Sequence, residues 1–381
     1  MKKLFFSGCL VALVISLALS QVCFAKQDTL GKITSVSGSV EIKREKETQW
    51  MRAERNMPVY YGDDIKTSED GNITITFLDE SLMTVQPNTH VALNTIISPL
   101  EKRNSVLLFF GRIWNKVRSK VVQMRGYEVQ TPTAVLGVRG TEFEAASYED
   151  GTTLVRVASG GVSVDSETES STLSEKQGAQ VSIETKRIKT ETDFRPEWKQ
   201  AEINARKSLF ADGRRYGVLV HSEIRQRRDN LKTLVDEVKA LTKKRERYRA
   251  LAKEAEQRGD QVEYEFSMAK ARETNREILE LNKKIAFSGR RLECQFGLFD
   301  RYGYLAKHPE LSKEFRGREF ILEQLDDIEM IRAEFNAMIE EGMKLSMEDM
   351  EDLMDEMKEK VDQFRKSKEK SDPFEELNGQ R

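Results

Sequence analysis

Phe109-Phe110-Gly111-Arg112-Ile113-Trp114-Asn115-Lys116-Val117, then Tyr127-Glu128-Val129-Gln130-Thr131-Pro132-Thr133-Ala134-Val135, then Val138-Arg139-Gly140-Thr141-Glu142-Phe143, decide how the first half of this chain folds. Arg112, Trp114 and Lys116 alternate with Ile113 and Val117, which fits a strand with one buried and one solvated face. Pro132 fixes φ and offers no ladder donor, so it belongs at a strand start or a sheet edge. Gly140 permits a bulge or a close backbone approach, and simple alternation puts Thr141 and Phe143 on one side, with Arg139 sharing their parity. Two readings of these residues stay open. Arg139 and Thr141 form a polar binding surface, or Arg139 holds neighbouring carbonyls or a carboxylate while the Thr-Pro and Gly-Thr pairs shape turns.

Outward from that stretch the same period continues. Ile73-Thr74-Ile75-Thr76-Phe77 alternates, and Val91-Ala92-Leu93, Leu154-Val155-Arg156-Val157 and Val162-Ser163-Val164 are further short strands. Asp70-Gly71, Gln86-Pro87-Asn88, Asp150-Gly151 and Gly160-Gly161 separate them as turns. Val36-Ser37-Gly38-Ser39-Val40 and Val157 to Val162 both read as a strand pinched at Gly and resumed. That repeat favours a short β-solenoid or roll, with a β-sandwich as the alternative.

The composition then changes. Charged residues make up about 27% of positions 26–193 and about 42% from Phe194 onward. Leu231, Leu234, Val238 and Leu241 recur at helical spacing; Arg258-Gly259-Asp260 breaks the run, and Val262, Phe266, Ala269, Ile278, Leu281 and Ile285 resume it. The pair predicts an antiparallel hairpin or coiled coil, and Arg245, Glu273 and Arg276 on the seam favour the intrachain hairpin over a long parallel dimer. His308-Pro309 reads as a helix start, with Phe320, Ile321, Leu325, Ile328, Ile331, Phe335 and Met338 following and Gly342 as a stop. Ser346 and Asp349 cap a last helix carrying Met350, Leu353, Met354, Met357, Val361 and Phe364, a stripe that either packs as core or receives a partner. The class is therefore α+β: an all-β half followed by an all-α half.

Lys2 and Lys3, an apolar run from Cys9 to Leu19, and Ala25 preceded by Cys23 two positions earlier predict a secretory leader cut after Ala25. The run is shorter than the roughly 20 residues a membrane span needs, so no stable span is expected after cleavage. Cleavage leaves one cysteine, Cys294, in an apolar stretch and read as a buried thiol. The formal charge of −2 shows no nucleic-acid footprint. The basic strand of Arg112, Lys116, Arg118, Lys120 and Arg125 reads as a solvated face rather than a nucleic-acid platform. His90, His221 and His308 lack metal-ligand spacing, and no nucleophile elbow, phosphate loop or zinc signature occurs. Asp63-Asp64 and Asp79-Glu80 are read as solvated turn acids. No catalysis, metal or cofactor is expected.

The quoted segments resemble the FecR family. Gly111-Arg112 with Trp114, Tyr127-x-Val129-x-Thr131-Pro132, Val138-Arg139-Gly140-Thr141-x-Phe143 and the closing Gly160-x-Val162-x-Val164 occur in family order, over about Gly31 to Val164. The resemblance implies a β domain outside the cytoplasm that senses or relays the state of an outer-membrane partner, with Gly111, Arg112, Trp114, Thr131, Pro132, Arg139, Gly140, Thr141 and Phe143 as its motif residues. Only Met1 to Gly8 precede the apolar run, so a sigma-binding segment ahead of it is not expected. The organisation expected is a leader at 1–25, a FecR-type domain at 31–190 with its core at about 60–164, a helical region at 195–368 and a polar tail at 369–381. The expected role is non-enzymatic: a periplasmic module binding an envelope protein or cell-wall ligand, with self-association through the tail; the alternative is a structural spacer. Intact-mass analysis of the exported protein should give a chain beginning at Lys26, and a mass retaining Met1 to Ala25 would exclude the cut.

Overall fold

The computed structural model describes residues 29–45, 47–94, 104–118 and 127–342. The expected leader with Ala25, Lys120 and Arg125, and the Met350 to Phe364 stripe with the tail beyond it, lie outside the described residues.

Seventeen strands fill Thr29 to Glu191. Following the pairings strand by strand gives two layers. One runs β4 (Pro58–Tyr60), β1 (Thr29–Ser37), β6 (Asn72–Phe77), β7 (Leu82–Val85), β9 (Asn104–Lys116), β12 (Glu142–Ser147), β13 (Thr153–Ser159), β16 (Gly178–Val181), β17 (Ile188–Glu191). The other runs β3 (Met51–Arg52), β2 (Val40–Lys43), β5 (Asp63–Thr67), β8 (His90–Asn94), β9 again, β10 (Tyr127–Gln130), β11 (Val135–Val138), β14 (Gly161–Asp165), β15 (Ser170–Ser174). All pairings are antiparallel except β9 with β10. The chain passes repeatedly between the layers, as the Gly-pinched strands imply, and the result is an unclosed roll.

One apolar core lies between the layers. Ile73, Ile75, Val85, Ile113, Phe143 and Val155 from the first meet Ile65, Val91, Leu93, Val129, Leu136 and Val164 from the second. The period-two patterns of β5, β6, β7 and β14 each bury every second residue, which is what a half-buried strand requires.

The 13-residue β9 joins the layers. Residues 105–110 pair with β8, and 111–116 pair with β7 and β12. The switch falls at Gly111, whose φ is +102°. A Cβ there would lie 2.5 Å from the Thr89 Cα, so neither the torsion nor the space admits a side chain. Thr89 completes the corner, its Oγ1 accepting the Arg112 amide at 3.0 Å.

Four helices follow among the described residues: α1 (Trp198–Ala211), α2 (Gly213–Arg258), α3 (Gln261–Lys307) and α4, described from residue 318 to 342. α2 and α3, of 46 and 47 residues, form the expected antiparallel hairpin, an arm of about 70 Å at 1.5 Å per residue. It turns at Arg258-Gly259-Asp260, where the Asp260 side chain accepts the Glu263 amide at 3.0 Å. Arg245 on the seam is buried and donates to Asn275 across the hairpin at 3.0 Å, which reconciles a charge with that position. His308 ends α3 rather than starting a helix: its amide caps the Tyr304 carbonyl at 3.0 Å, a single 3₁₀ turn follows, and α4 begins at residue 318. The extended conformation that Pro309 favours in the residue before it explains the exit. Gly342 is still helical.

The arm is not free of the roll. The C-terminal half of α3 lies across the outer face of the second layer, placing Cys294 among Ala92, Leu107 and Phe109. α1 covers Ala146, Tyr148 and Leu154 on the outer face of the first.

Gly111→Ala should lower unfolding stability by about 1–3 kcal/mol through torsional strain and the clash with Thr89. Urea denaturation measures it; a loss below about 0.5 kcal/mol would remove the corner from its proposed place in the fold.

Candidate binding surface

The motif residues occupy three places. Gly111, Arg112 and Trp114 lie on β9; Arg112 forms an ion pair with Glu144 at 3.5 Å and stands over the Trp198 ring of α1 at 5.4 Å. Lys116 pairs with Glu142 at 3.3 Å and Arg118 with Glu80 at 2.7 Å, so Arg112, Lys116 and Arg118 are each matched by an acid within the molecule.

Thr131 and Pro132 close the β10–β11 hairpin beneath α3. Thr131 Oγ1 accepts the Ala134 amide at 2.9 Å and shares a hydrogen bond with Thr153 Oγ1 at 2.7 Å, and all of these residues are buried. Above them the Arg291 guanidinium donates to the Thr133 carbonyl at 2.7 Å, the Cys294 thiol to the Gln130 carbonyl at 3.4 Å, and Arg290 reaches Glu128 at 3.4 Å. Burial pushes the Cys294 thiol well up, as expected for an inert core sulfur.

The third place is the β11–β12 corner. Gly140 has φ +64°, and this interrupts the alternation that simple parity assumes. Thr141 and Phe143 turn inward, whereas Arg139 is exposed and its side chain makes no hydrogen bond or ion pair among the described residues. Thr141 Oγ1 donates to the Gly161 carbonyl at 2.7 Å and accepts the Gly161 amide at 3.2 Å, tying this corner to the β13–β14 corner. Thr141 is thus a framework residue, and Arg139 does not share a surface with it.

The acidic pair Asp63-Asp64 is also not the solvated turn it was read as. β2 runs alongside β5, bringing Arg44 onto buried Asp63 and Lys43 onto Asp64 at 2.9 Å, with His90 3.4 Å from the latter. No group among the described residues could hold a metal ion.

The concavity of most interest was not visible from any local motif. A cleft of about 590 Å³ opens between the roll and the root of the arm, with Lys66, Asn88, His90 and Phe110 on one wall and Asp300 and Tyr304 on the other. Lys66 lies with its ammonium 4.1 Å from the Trp50 ring centroid and forms no ion pair among the described residues. Burial lowers its pKa, only partly offset by Asp64. Arg301 braces the far wall, stacked on Phe110 at 4.9 Å and paired with Glu149 at 2.8 Å. Burial would raise the Glu149 carboxyl, but Arg206 and Arg301 outweigh it and hold the group below the usual range. The cleft therefore has an aromatic and charged frame, and Lys66 feels Asp64, Asp300 and Glu41 without forming an ion pair among the described residues. Its residues come from positions more than 200 apart, which is why spacing in the sequence carried no sign of it.

Burial pushes the Asp63 carboxyl up from 3.8 to about 6, against the Tyr60 amide and Arg44, which pull it down. Between those values the folded chain holds a proton that the unfolded chain has released, so this group's contribution falls as pH rises through the window and levels off above it. The whole effect is at most about 3 kcal/mol. Asp63→Asn, which keeps an acceptor for Tyr60, should flatten the dependence in denaturant titrations between about pH 4 and about pH 6; an unchanged slope would assign it to another group.

No curated protein matches the chain. Crystal structures described as those of a candidate anti-sigma factor from Parabacteroides distasonis resemble it at 20% identity, over 34% of this chain and 59% of theirs, with a TM-score of 0.31. The chain thus spans under two thirds of that relative. A cell surface anchoring domain is similar at 24% identity over 18% of this chain and 87% of its own, with a TM-score of 0.17. The family model described as FecR protein matches residues 63–163, from β5 to β14, a stretch at the centre of the β roll that includes β9.

Proposed function

We propose that this is an exported, non-enzymatic partner-binding module of the cell envelope. In this reading the FecR domain and the arm together receive an envelope protein or cell-wall ligand in the periplasm. The observation that carries it is the cleft, because its walls belong to both halves. An occupant touching Lys66 on the roll and Tyr304 on α3 would alter the setting of the arm, and that is the physical requirement for a relay. The FecR match at 63–163 supports a regulatory rather than a catalytic assignment. No helix among the described residues is long and apolar enough to cross a membrane. The expected self-association through the helical region belongs to this proposal as well.

A second reading is favoured by one dimension. The part of the arm ahead of Arg290, about 45 Å at 1.5 Å per residue, suits a spacer that holds the roll away from an attachment point. The two readings differ in what the cleft is for.

Cross-linking in intact cells, followed by mass spectrometry, should compare the full chain with a Lys66→Glu, Tyr304→Ala variant. Loss of a specific envelope protein from the variant, with expression and thermal stability unchanged, is the expected result. Identical partners from both forms, or only self cross-links and wall material, would replace the relay with the spacer.

A further inference from the structure

Charge in the cleft between the roll and the arm is sorted by exposure. Its two cations, Lys66 on β5 and Arg301 on α3, are half-buried, whereas three acids along it, Glu41, Glu69 and Asp300, are exposed. Asp300 is committed to Arg332 at 2.6 Å. Glu41, opposite Lys66 in the β2–β5 register, and Glu69 form no ion pair among the described residues. Arg301 Nε donates to Glu149 at 2.8 Å, which leaves the two terminal nitrogens of the guanidinium without a hydrogen bond among the described residues. The group lies over the Phe110 ring at 4.9 Å and the Tyr304 ring at 5.2 Å, and these contacts orient its plane. Lys66 is held over Trp50 at 4.1 Å. The Asn88 side chain and the Tyr304 hydroxyl, also along the cleft, make no hydrogen bond among the described residues.

Half-buried cations with open hydrogen-bonding capacity suit an anionic occupant, because a cation short of partners in a poorly solvated place is costly and a matched anion removes that cost. A guanidinium with two free terminal nitrogens fits the planar fork of a carboxylate. The exposed acids suit a positive group on the same occupant, set back from its anionic end. Between the two, the Asn88 amide offers both a donor and an acceptor to a peptide backbone, and Phe110 and Tyr304 offer apolar faces to its side chains. The cleft of about 590 Å³ falls within the range of about 300–1,000 Å³ usual for small-ligand sites, room for a chain end rather than a folded surface. On the reading that this cleft is where the module binds, we infer that it receives the free carboxyl terminus of a peptide, with the carboxylate on Arg301 and Lys66 and a nearby ammonium toward Glu41 and Glu69. Two sources supply such an end: a cell-wall peptide that finishes in D-alanine, and an envelope protein that finishes in an L-residue. Stereochemistry separates them.

Calorimetric titration of the full chain should compare N-acetyl-Lys-D-Ala-D-Ala and N-acetyl-Lys-L-Ala-L-Ala, each as the free acid and as the C-terminal amide. At least one acid should bind about tenfold or more tighter than its amide, the loss that one charge-assisted pair produces, and the preferred isomer names the source. Lys66→Met should weaken the acid about tenfold and the amide less than about twofold, a split that a merely structural lysine would not produce. Acetylating the probe's lysine Nζ should weaken the acid about threefold, as an exposed pair does. The acid and amide comparison needs no variant, so it decides the matter even where Lys66→Met fails to fold. Acid and amide binding alike, neither binding at about 1 mM, or equal losses from Lys66→Met would each overturn the carboxylate. The cleft's own part is judged apart from these probes, by the envelope partner that the Lys66→Glu, Tyr304→Ala chain loses or keeps.

Discussion

Everything in this molecule depends on β9 being covered on both sides along its first half. Val106 and Leu108 point into the roll, while Leu107 and Phe109 point away from it and meet α3. The contact is close because position 297 is glycine: a Cβ there would stand 2.4 Å from the Phe109 ring. At Gly111 the strand turns into the other layer, its outer face becomes half-exposed, and alternation returns with Ile113 buried and Arg112 and Trp114 partly exposed. One strand therefore sets the relation of the two layers to each other and of the roll to the arm.

Docking by apolar contact alone would leave the arm free to slide, since the hydrophobic effect has no direction. The seam obtains direction from buried charge. Arg290, Arg291 and the Cys294 thiol bind Glu128, the Thr133 carbonyl and the Gln130 carbonyl, each from a fixed turn of α3. Burial lowers the pKa of the Arg291 guanidinium to about 10, so it remains charged at neutral pH while losing part of its hydration. Such groups contribute little net stability when both partners are present, yet removing one partner is costly, which makes them register devices. Glu149 does the same at the other end, gathering Arg206 of α1 and Arg301 of α3 onto one turn. The Thr131-Pro132 turn is the floor of this seam.

What could be read in advance follows from the range of the interactions. Strands with one wet face show their period locally, so β6, β14 and the second half of β9 were legible, as were the hairpin and its Gly259 turn. Arg139, Thr141 and Phe143 were misplaced by parity because one residue at positive φ shifts the phase. The cleft and the seam were not legible, since each pairs the roll with residues of the arm far along the chain. One sign of the seam was nonetheless present: Val106-Leu107-Leu108-Phe109-Phe110 is an unbroken apolar run, whereas β5, β6, β7 and β14 alternate. A strand with that pattern has two buried faces, and the roll supplies a partner for only one of them.

That run bears on how the FecR domain should be regarded in this chain. The family match ends at residue 163, and a domain cut there or at the last strand would present Ala92, Leu107, Phe109 and the buried edge of β10 to water. Burying a Phe or Leu side chain contributes about 1.5–3 kcal/mol, a large part of the 5–15 kcal/mol that holds a typical domain folded. The acids facing the arm would also lose their arginines, Arg290 from Glu128 and Arg206 and Arg301 from Glu149. The roll and the root of the arm therefore form one folding unit, although sequence composition divides them sharply near Asp193. Composition here records where water meets the chain, alternating on a roll and wrapping a helix, rather than where one independently stable body stops and the next begins.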